Sequence, residues 1–181
     1  MSRPPRAREL VLDAFERLLV TEGERAATMD ATARAAGVSK GGLLYHFGSK
    51  DALETGLLER LHALVEEDLD RMSASTEGPV AYFVRTSAMS DDTLDRALVA
   101  VSRLAQGGHA AAGAALRTIR DRWADALRSH VASEAALDLV MLVSDGLYFN
   151  NALEGDGVAG PTPTGAAMDA LVEIVTRAAR G

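Results

Sequence analysis

The stretch that decides the fold is residues 28–39, which read Thr-Met-Asp-Ala-Thr-Ala-Arg-Ala-Ala-Gly-Val-Ser. Thr28 is a good N-cap for a helix, and Asp30 places a negative charge in the first turn, where it complements the helix dipole. Gly37 is a stop signal for this short helix, and Ser39 begins another one. Two short helices joined by a tight turn that contains glycine are typical of a helix-turn-helix, whose second helix lies in the DNA major groove.

Apolar residues at helical spacing continue on both sides of this stretch. A first helix is predicted over Leu10 to Leu19, with Gly23 as its stop, and the recognition helix is predicted to run to about Phe47. A long fourth helix follows Ser49, and the remaining chain predicts helices near residues 80–89, 91–105, 109–131, 133–153 and 163–179.

No strand-like alternation interrupts this pattern, so the predicted fold class is all-α with about nine helices. We expect residues 1–50 to form an N-terminal three-helix DNA-binding domain that contains the helix-turn-helix. Residues 51–181 are expected to form a helical C-terminal body for ligand binding and dimerisation.

The composition narrows the class of protein. Hydrophobic residues make up 48% of the 181 residues and aromatic residues only 4%, a balance that favours helices over strands. The absence of cysteine excludes disulfide frameworks, cysteine-ligated zinc and thiol nucleophiles. The sequence shows no signal peptide and no apolar run of the roughly 20 residues that a membrane helix needs. We therefore expect a soluble, cytoplasmic protein.

The net charge of −7 argues against a nucleic-acid partner, but its distribution along the chain does not. Residues 1–50 hold eight basic and six acidic side chains, for a formal charge of +2, whereas residues 51–181 hold 11 basic and 20 acidic ones, for −9. An acidic body repels phosphate and leaves the N-terminal end to face DNA. Ordinary scatter of surface charge explains the same numbers equally well.

The residues after the turn resemble a known family. Residues 37–53 read Gly-Val-Ser-Lys-Gly-Gly-Leu-Leu-Tyr-His-Phe-Gly-Ser-Lys-Asp-Ala-Leu, which is similar to the recognition region of TetR-type regulators. With the first helix and Thr28, the resemblance covers residues 8–54; the body is not matched by sequence. Two positions depart from the family's usual form, because many relatives carry tyrosine where Leu44 stands and isoleucine where Thr32 stands.

The resemblance implies a function and a mechanism. It implies a homodimeric repressor that binds a palindromic operator in double-stranded DNA. It also implies that a small apolar or amphipathic effector, bound between the body helices, releases the protein from DNA. Thr28 is, by resemblance, a phosphate contact in addition to its role as an N-cap.

The candidate DNA contacts combine donors, small residues and helix N-termini. Lys40 is the long donor at the start of the recognition helix, suited to guanine or to a phosphate. Gly41 and Gly42 lack side chains, which lets the backbone approach base edges; a plain pair of loop glycines is the alternative. Lys50 adds a charge where the fourth helix offers free amides to an anion. Tyr45 is alternatively a partly buried core residue. The full set is Thr28, Ser39, Lys40, Gly41, Gly42, Leu44, Tyr45, His46 and Lys50.

The last two predicted helices carry more apolar residues than one buried face needs. The helix near 133–153 is apolar over a wide arc, and so is the helix near 163–179, which indicates burial on more than one side. In the resembled family, these helices form a four-helix dimer interface; burial inside a monomer is the alternative. Candidate effector-binding residues, each equally suited to an ordinary core, are Tyr82, Phe83, Arg85, Trp123, Met141, Tyr148, Phe149 and Asn150.

No catalytic constellation is predicted. Residues 155–160 match G-x-G-x-x-G, but a dinucleotide fingerprint needs a preceding strand, and here a helix precedes the match. The four histidines lack ligand spacing, so we expect no metal and no cofactor. Two alternatives to a DNA-binding regulator stay open. One is a helical ligand-binding dimer without DNA-binding activity, and the more distant one is a small helical enzyme that uses carboxylates such as Glu66, Glu67 and Asp68.

Overall fold

The computed structural model describes residues 4–88, 92–152 and 162–181, and within these ranges it contains helices and no strand. Its helices are α1 (Pro4–Glu22), α2 (Met29–Ala35), α3 (Lys40–His46), α4 (Lys50–Ala74), α5 (Pro79–Thr86), α6 (Thr93–Gln106), α7 (Ala110–Arg128), α8 (Glu134–Ala152) and α9 (Ala166–Arg180). The all-α prediction with about nine helices is confirmed, and only helix ends differ, as where α5 ends at Thr86. The G-x-G-x-x-G match at 155–160 lies outside the described residues.

The described residues fold into two compact units. The first unit holds the residues up to Leu64 together with Thr93–Thr118, and the second unit holds Val65–Asp92 and the residues from Ile119 onward. Helices α4 and α7 each contribute one segment to each unit. These units are defined by packing and do not show which residues bind DNA or a ligand. The division into a DNA-binding domain over 1–50 and a body over 51–181 therefore stays a prediction.

Helix α1 supports the rest of the first unit. Leu12, Phe15 and Leu19 are fully buried and recur at helical spacing, so they form one apolar face. This helix packs against α2, α3 and α6. Such support is needed because α2 and α3 have seven residues each, fewer than an isolated helix requires for stability.

Two predicted helix stops have the backbone conformation that favours glycine. Gly23, after α1, has a φ of +80°, and Gly37, between α2 and α3, has a φ of +67°. A residue with a Cβ is strained in this left-handed region. The tight turn of the predicted helix-turn-helix is therefore present where the sequence indicated it.

Phe47, which follows α3, is held against α4 and α1. Its side chain is buried, and a Cβ added to Gly56 of α4 would lie 2.7 Å from Phe47 Cε1. The Arg8 guanidinium of α1 lies 5.2 Å from the centre of the same ring, a cation–π distance. Gly56 therefore allows the close approach that fixes the end of α3.

An ionic cluster around Arg60 and the buried side chain of Glu16 joins α4 to α1. Arg60 donates from Nη1 to Asp13 Oδ1 at 2.7 Å and to Glu16 Oε2 at 3.2 Å, and from Nη2 to the Glu9 carboxylate. Glu16 is buried, and this burial raises the pKa of its carboxyl; attraction by Arg60 and Arg96 offsets the effect only in part. Because removal of one partner leaves the other as an uncompensated buried charge, the cluster opposes separation of the two helices.

The second unit has its own hydrophobic core. It is formed where α5, α8 and α9 pack on one another, and its largest buried side chains include Phe83, Leu137, Met141 and Met168. Among the described residues, no helix is both long enough and apolar enough to cross a bilayer.

We predict that Gly56→Ala destabilises the chain by about 1–3 kcal/mol, because the added methyl group would overlap the Phe47 ring. Gly113→Ala in α7 is the matched control, since its Cβ would meet only the flexible Arg117 Nη1, at 3.5 Å. The control should gain up to about 1 kcal/mol from helix propensity. Urea denaturation followed by circular dichroism measures both changes, and equal stability of the two variants would contradict the packing described.

Candidate nucleic-acid interface

Helix α3 has one buried face and one exposed face. Leu43, and Phe47 after the helix, lie in the core, as the sequence indicated, whereas Leu44 is exposed. Tyr45 is 83% exposed, so the alternative that placed it in the core is wrong. Its ring meets the half-buried His46 edge to face, with centroids 5.2 Å apart. The exposed face of α3 therefore offers apolar and aromatic groups to a partner.

Hydroxyl groups cap the three helix N-termini of this region. Ala31 N–H donates to Thr28 Oγ1 at 3.2 Å, and Gly42 N–H donates to Ser39 Oγ at 3.0 Å. At the start of α4, Ala52 N–H donates to Ser49 Oγ at 3.1 Å. Each hydroxyl accepts in its cap and keeps its own proton, which it can donate to an anion outside the protein.

The two glycines of α3 have different surroundings. Both lie inside the helix, so the alternative of a plain loop is wrong. A Cβ on Gly42 would lie 3.2 Å from the capping Ser39 Oγ, whereas a Cβ on Gly41 would meet no heavy atom within 4 Å beyond its chain neighbours and the backbone of its own helix. Packing within the described protein therefore gives no reason for glycine at position 41.

Both predicted lysine contacts are in ion pairs, which sequence reasoning did not foresee. Lys40 Nζ lies 3.0 Å from Asp30 Oδ1 of α2, and both side chains are exposed. Lys50 Nζ lies 3.5 Å from Glu54 Oε1 and 3.6 Å from Glu24 Oε1. Only the Lys50–Glu54 pair had a local signal, because its members are one helical turn apart.

Thr32, one of the departures from the family's usual form, is fully buried in α2. Its Oγ1 has no hydrogen-bond partner among the described residues. An unsatisfied buried hydroxyl costs about 1–3 kcal/mol. The hydroxyl therefore lowers the stability of α2 at this position, which an isoleucine would not do.

The residues predicted for an effector site separate into two groups. Phe83 and Met141 share the core of the second unit, and Tyr82 and Trp123 pack against that core. The rings of Phe83 and Trp123 have centroids 5.8 Å apart. The other four candidates are placed differently: Arg85 pairs with Glu77 and Asp169, Phe149 is exposed, and Tyr148 and Asn150 are half-buried.

Asp68 is a buried residue of this region that the sequence did not assign to it. Its carboxylate accepts hydrogen bonds from Trp123 Nε1 at 3.0 Å and from Tyr82 Oη at 2.9 Å. Burial raises the pKa of the Tyr82 hydroxyl. Glu66 and Glu67 are exposed while Asp68 is buried, so these three carboxylates do not converge into the catalytic set that the enzyme alternative requires. No group of three or more metal-ligating side chains occurs within the described ranges.

Comparison with known proteins places the helix-turn-helix in a family. Residues 11–54 match the model of the bacterial regulatory proteins of the tetR family. No curated protein matches the chain in sequence.

Several solved structures share the fold over nearly the whole chain. GusR of Salmonella enterica has 17% identity and a TM-score of 0.67, with 99% of this chain and 98% of that chain covered. A TetR-like transcriptional regulator from Rhodococcus sp. RHA1 has 17% identity and a TM-score of 0.60, with 99% and 96% covered. The multidrug-binding protein EbrR, in complex with imidazole, has 20% identity and a TM-score of 0.57, with 99% and 97% covered. At these identities the likeness concerns the fold alone.

Proposed function

We propose that this chain, whose residues 11–54 match the model of the tetR family of bacterial regulatory proteins, is a repressor of that family that binds a palindromic operator as a homodimer. The observation that carries the proposal is the exposed face of α3, whose opposite face is buried in the core. The capped N-termini of α2 and α4 belong to the same region. A small-molecule effector would release the protein from DNA. The predicted cytoplasmic location would follow from this function.

The contact set supports major-groove binding for a specific reason. The space around Gly41, at the start of α3, is open. Because glycine has no side chain, a partner such as a base edge can approach the backbone closely there. Leu44 can touch a thymine methyl group, and Tyr45 can donate to a phosphate. Thr28, Ser39, Gly42, His46 and the two lysines complete the proposed interface.

A second candidate is a helical ligand-binding dimer without DNA-binding activity. The ion pairs of Lys40 and Lys50 favour it, because a lysine that is already paired with a carboxylate attracts phosphate less strongly. Recovery of bound fragments from genomic DNA, followed by a mobility shift at several salt concentrations, separates the two candidates. Only the proposed regulator should retain operator fragments.

We predict that Lys50→Ala weakens binding to all DNA sequences about equally and lowers the salt slope by about one unit for each phosphate that a subunit no longer neutralises. Lys40→Ala should instead relax base preference at one position per half-site. Mobility shifts with operator and mixed-sequence duplexes measure both effects. Unchanged affinity and slope for Lys50→Ala would show that the start of α4 does not contact the DNA backbone.

The homodimer is supported by apolar side chains that the described chain leaves uncovered. Leu139, Leu142 and Phe149 of α8 and Ile174 of α9 are between 40% and 65% exposed. Four large apolar side chains on two helices that pack together indicate a surface for another protein. A second copy of the same helices would cover them symmetrically.

We predict that analytical ultracentrifugation at micromolar concentration gives twice the chain mass of 19.1 kDa. A variant with both Leu142→Glu and Ile174→Glu should sediment as a monomer, because each substitution places a charge in the apolar interface. Leu10→Glu is the control, since Leu10 is a similarly exposed leucine that lies on α1. A monomeric wild-type protein would contradict the dimer.

The proposed effector site lies around Trp123 in the second unit. An apolar or amphipathic molecule would open the contact between Phe83 and Trp123, with Tyr82 and Asp68 as polar partners. An effector acts only through its different affinities for the bound and released states. A tenfold loss of operator binding requires a difference of about 1.4 kcal/mol, which two buried methylene groups supply at about 0.8 kcal/mol each.

We predict that small apolar molecules that weaken operator binding also change the emission of Trp123, which is the single tryptophan of the sequence. The change is expected because the indole would be displaced from its packing against Phe83. Titration of tryptophan fluorescence beside a mobility shift measures both effects, with Trp123→Phe as the control for other sources of signal. Compounds that release DNA with no change in emission would place the effector site elsewhere.

A further inference from the structure

Lys50 is part of a charged cluster that draws together three segments of the first unit. The two carboxylate oxygens of Glu54 have different partners. Oε1 lies 3.5 Å from Lys50 Nζ, and Oε2 lies 3.3 Å from His109 Nε2. Glu24, the second acidic neighbour of Lys50, lies between α1 and α2, and His109 lies between α6 and α7. The proposed phosphate contact of Lys50 does not by itself explain this arrangement.

Burial distinguishes Glu54 from the other acidic partner of Lys50. The Glu54 side chain is 6% exposed, whereas that of Glu24 is 33% exposed. A carboxylate this deeply buried must keep a polar partner, because burying it without one is strongly destabilising. If Lys50 turned to a phosphate, His109 would be the partner that remains.

His109 is held in a position from which it can remain the partner of Glu54. Its Nδ1 accepts from Ala112 N–H at 3.1 Å and so caps the start of α7. With Nδ1 occupied as an acceptor, Nε2 is the ring nitrogen that is available to Glu54, and it lies 3.3 Å from Glu54 Oε2. The histidine thus supports Glu54 from a backbone-anchored position that does not depend on Lys50.

We propose that Glu54 is a positioning residue for DNA binding. In the free protein Glu54 holds Lys50 away from phosphate, and when Lys50 turns to the DNA, His109 remains as the partner of Glu54. The inference rests on the proposed DNA-binding function. Two carboxylates around one ammonium give the Lys50 neighbourhood a net negative charge, which opposes a phosphate. Lys50 becomes a phosphate ligand by exchanging Glu54 for the DNA backbone.

The test measures fluorescence anisotropy of a labelled mixed-sequence duplex with the full-length chain over a range of salt concentrations, because phosphate contacts are independent of sequence. Glu54→Gln removes the charge but keeps an acceptor for His109. It should tighten binding about threefold to tenfold. The salt slope should stay nearly the same, because Lys50 neutralises the same phosphate in both proteins. In a Lys50→Ala background, the same substitution should have almost no effect.

Two further variants sharpen the test. Asp51→Asn is the matched control: Asp51 is an exposed acid in the same turn of α4, and it is not one of the ion-pair partners of Lys50. Its effect should be the same with and without Lys50. His109→Asn keeps a capping side chain for α7 but is too short to reach Glu54, so DNA affinity should fall. Adding Glu54→Gln should restore it.

The outcomes separate this inference from the proposed function. If Glu54→Gln and Lys50→Ala act additively while the wild-type chain binds DNA, the inference fails and the DNA-binding function stands. If the wild-type chain binds no duplex, both fail. Should Glu54→Gln not fold by circular dichroism, His109→Asn decides alone, and unchanged affinity in that variant overturns the inference.

Discussion

A helix of seven residues does not keep its shape in water without tertiary support, and both helices of the helix-turn-helix have this length. The proposed DNA-facing surface therefore depends on apolar packing from outside these helices. Leu43 and Phe47 provide the contact on the α3 side. Through Phe47, the orientation of α3 also depends on Gly56 and Arg8, neither of which belongs to the proposed interface. A substitution far from DNA can thus change binding by moving α3.

Features with a local signal could be predicted from the sequence. Thr28 and Ser39 cap helices because their hydroxyls lie within reach of amides three residues later, and Gly37 turns the chain because a Cβ is strained there. The burial of Leu43 and Phe47 on one face follows from their separation by four residues, about one helical turn. Each of these signals lies within a few residues of the position it describes.

Features that depend on tertiary structure could not be predicted in this way. Asp30 and Lys40 meet across the turn, and Glu24 reaches Lys50 from a separate loop. Asp68 stands in a run of three acidic residues and no local signal distinguishes it from the other two, yet it is the one that accepts hydrogen bonds from Trp123 and Tyr82. Spacing within one helix indicates which side chains share a face, but the element that covers this face is chosen by the whole fold.

The paired lysines bear on how an acidic chain discriminates between DNA sites. Contacts with phosphate are independent of sequence and supply most of the non-specific affinity. Because Lys50 has two carboxylate neighbours, it adds less to that affinity than a lysine without such neighbours. The uncharged groups on the exposed face of α3, Gly41 and Leu44 among them, are not weakened in this way. In a regulator of the proposed kind, the acidic neighbours of Lys50 therefore lower the operator affinity and the non-specific affinity together, and the discrimination between sites depends on the groups of α3 that contact bases.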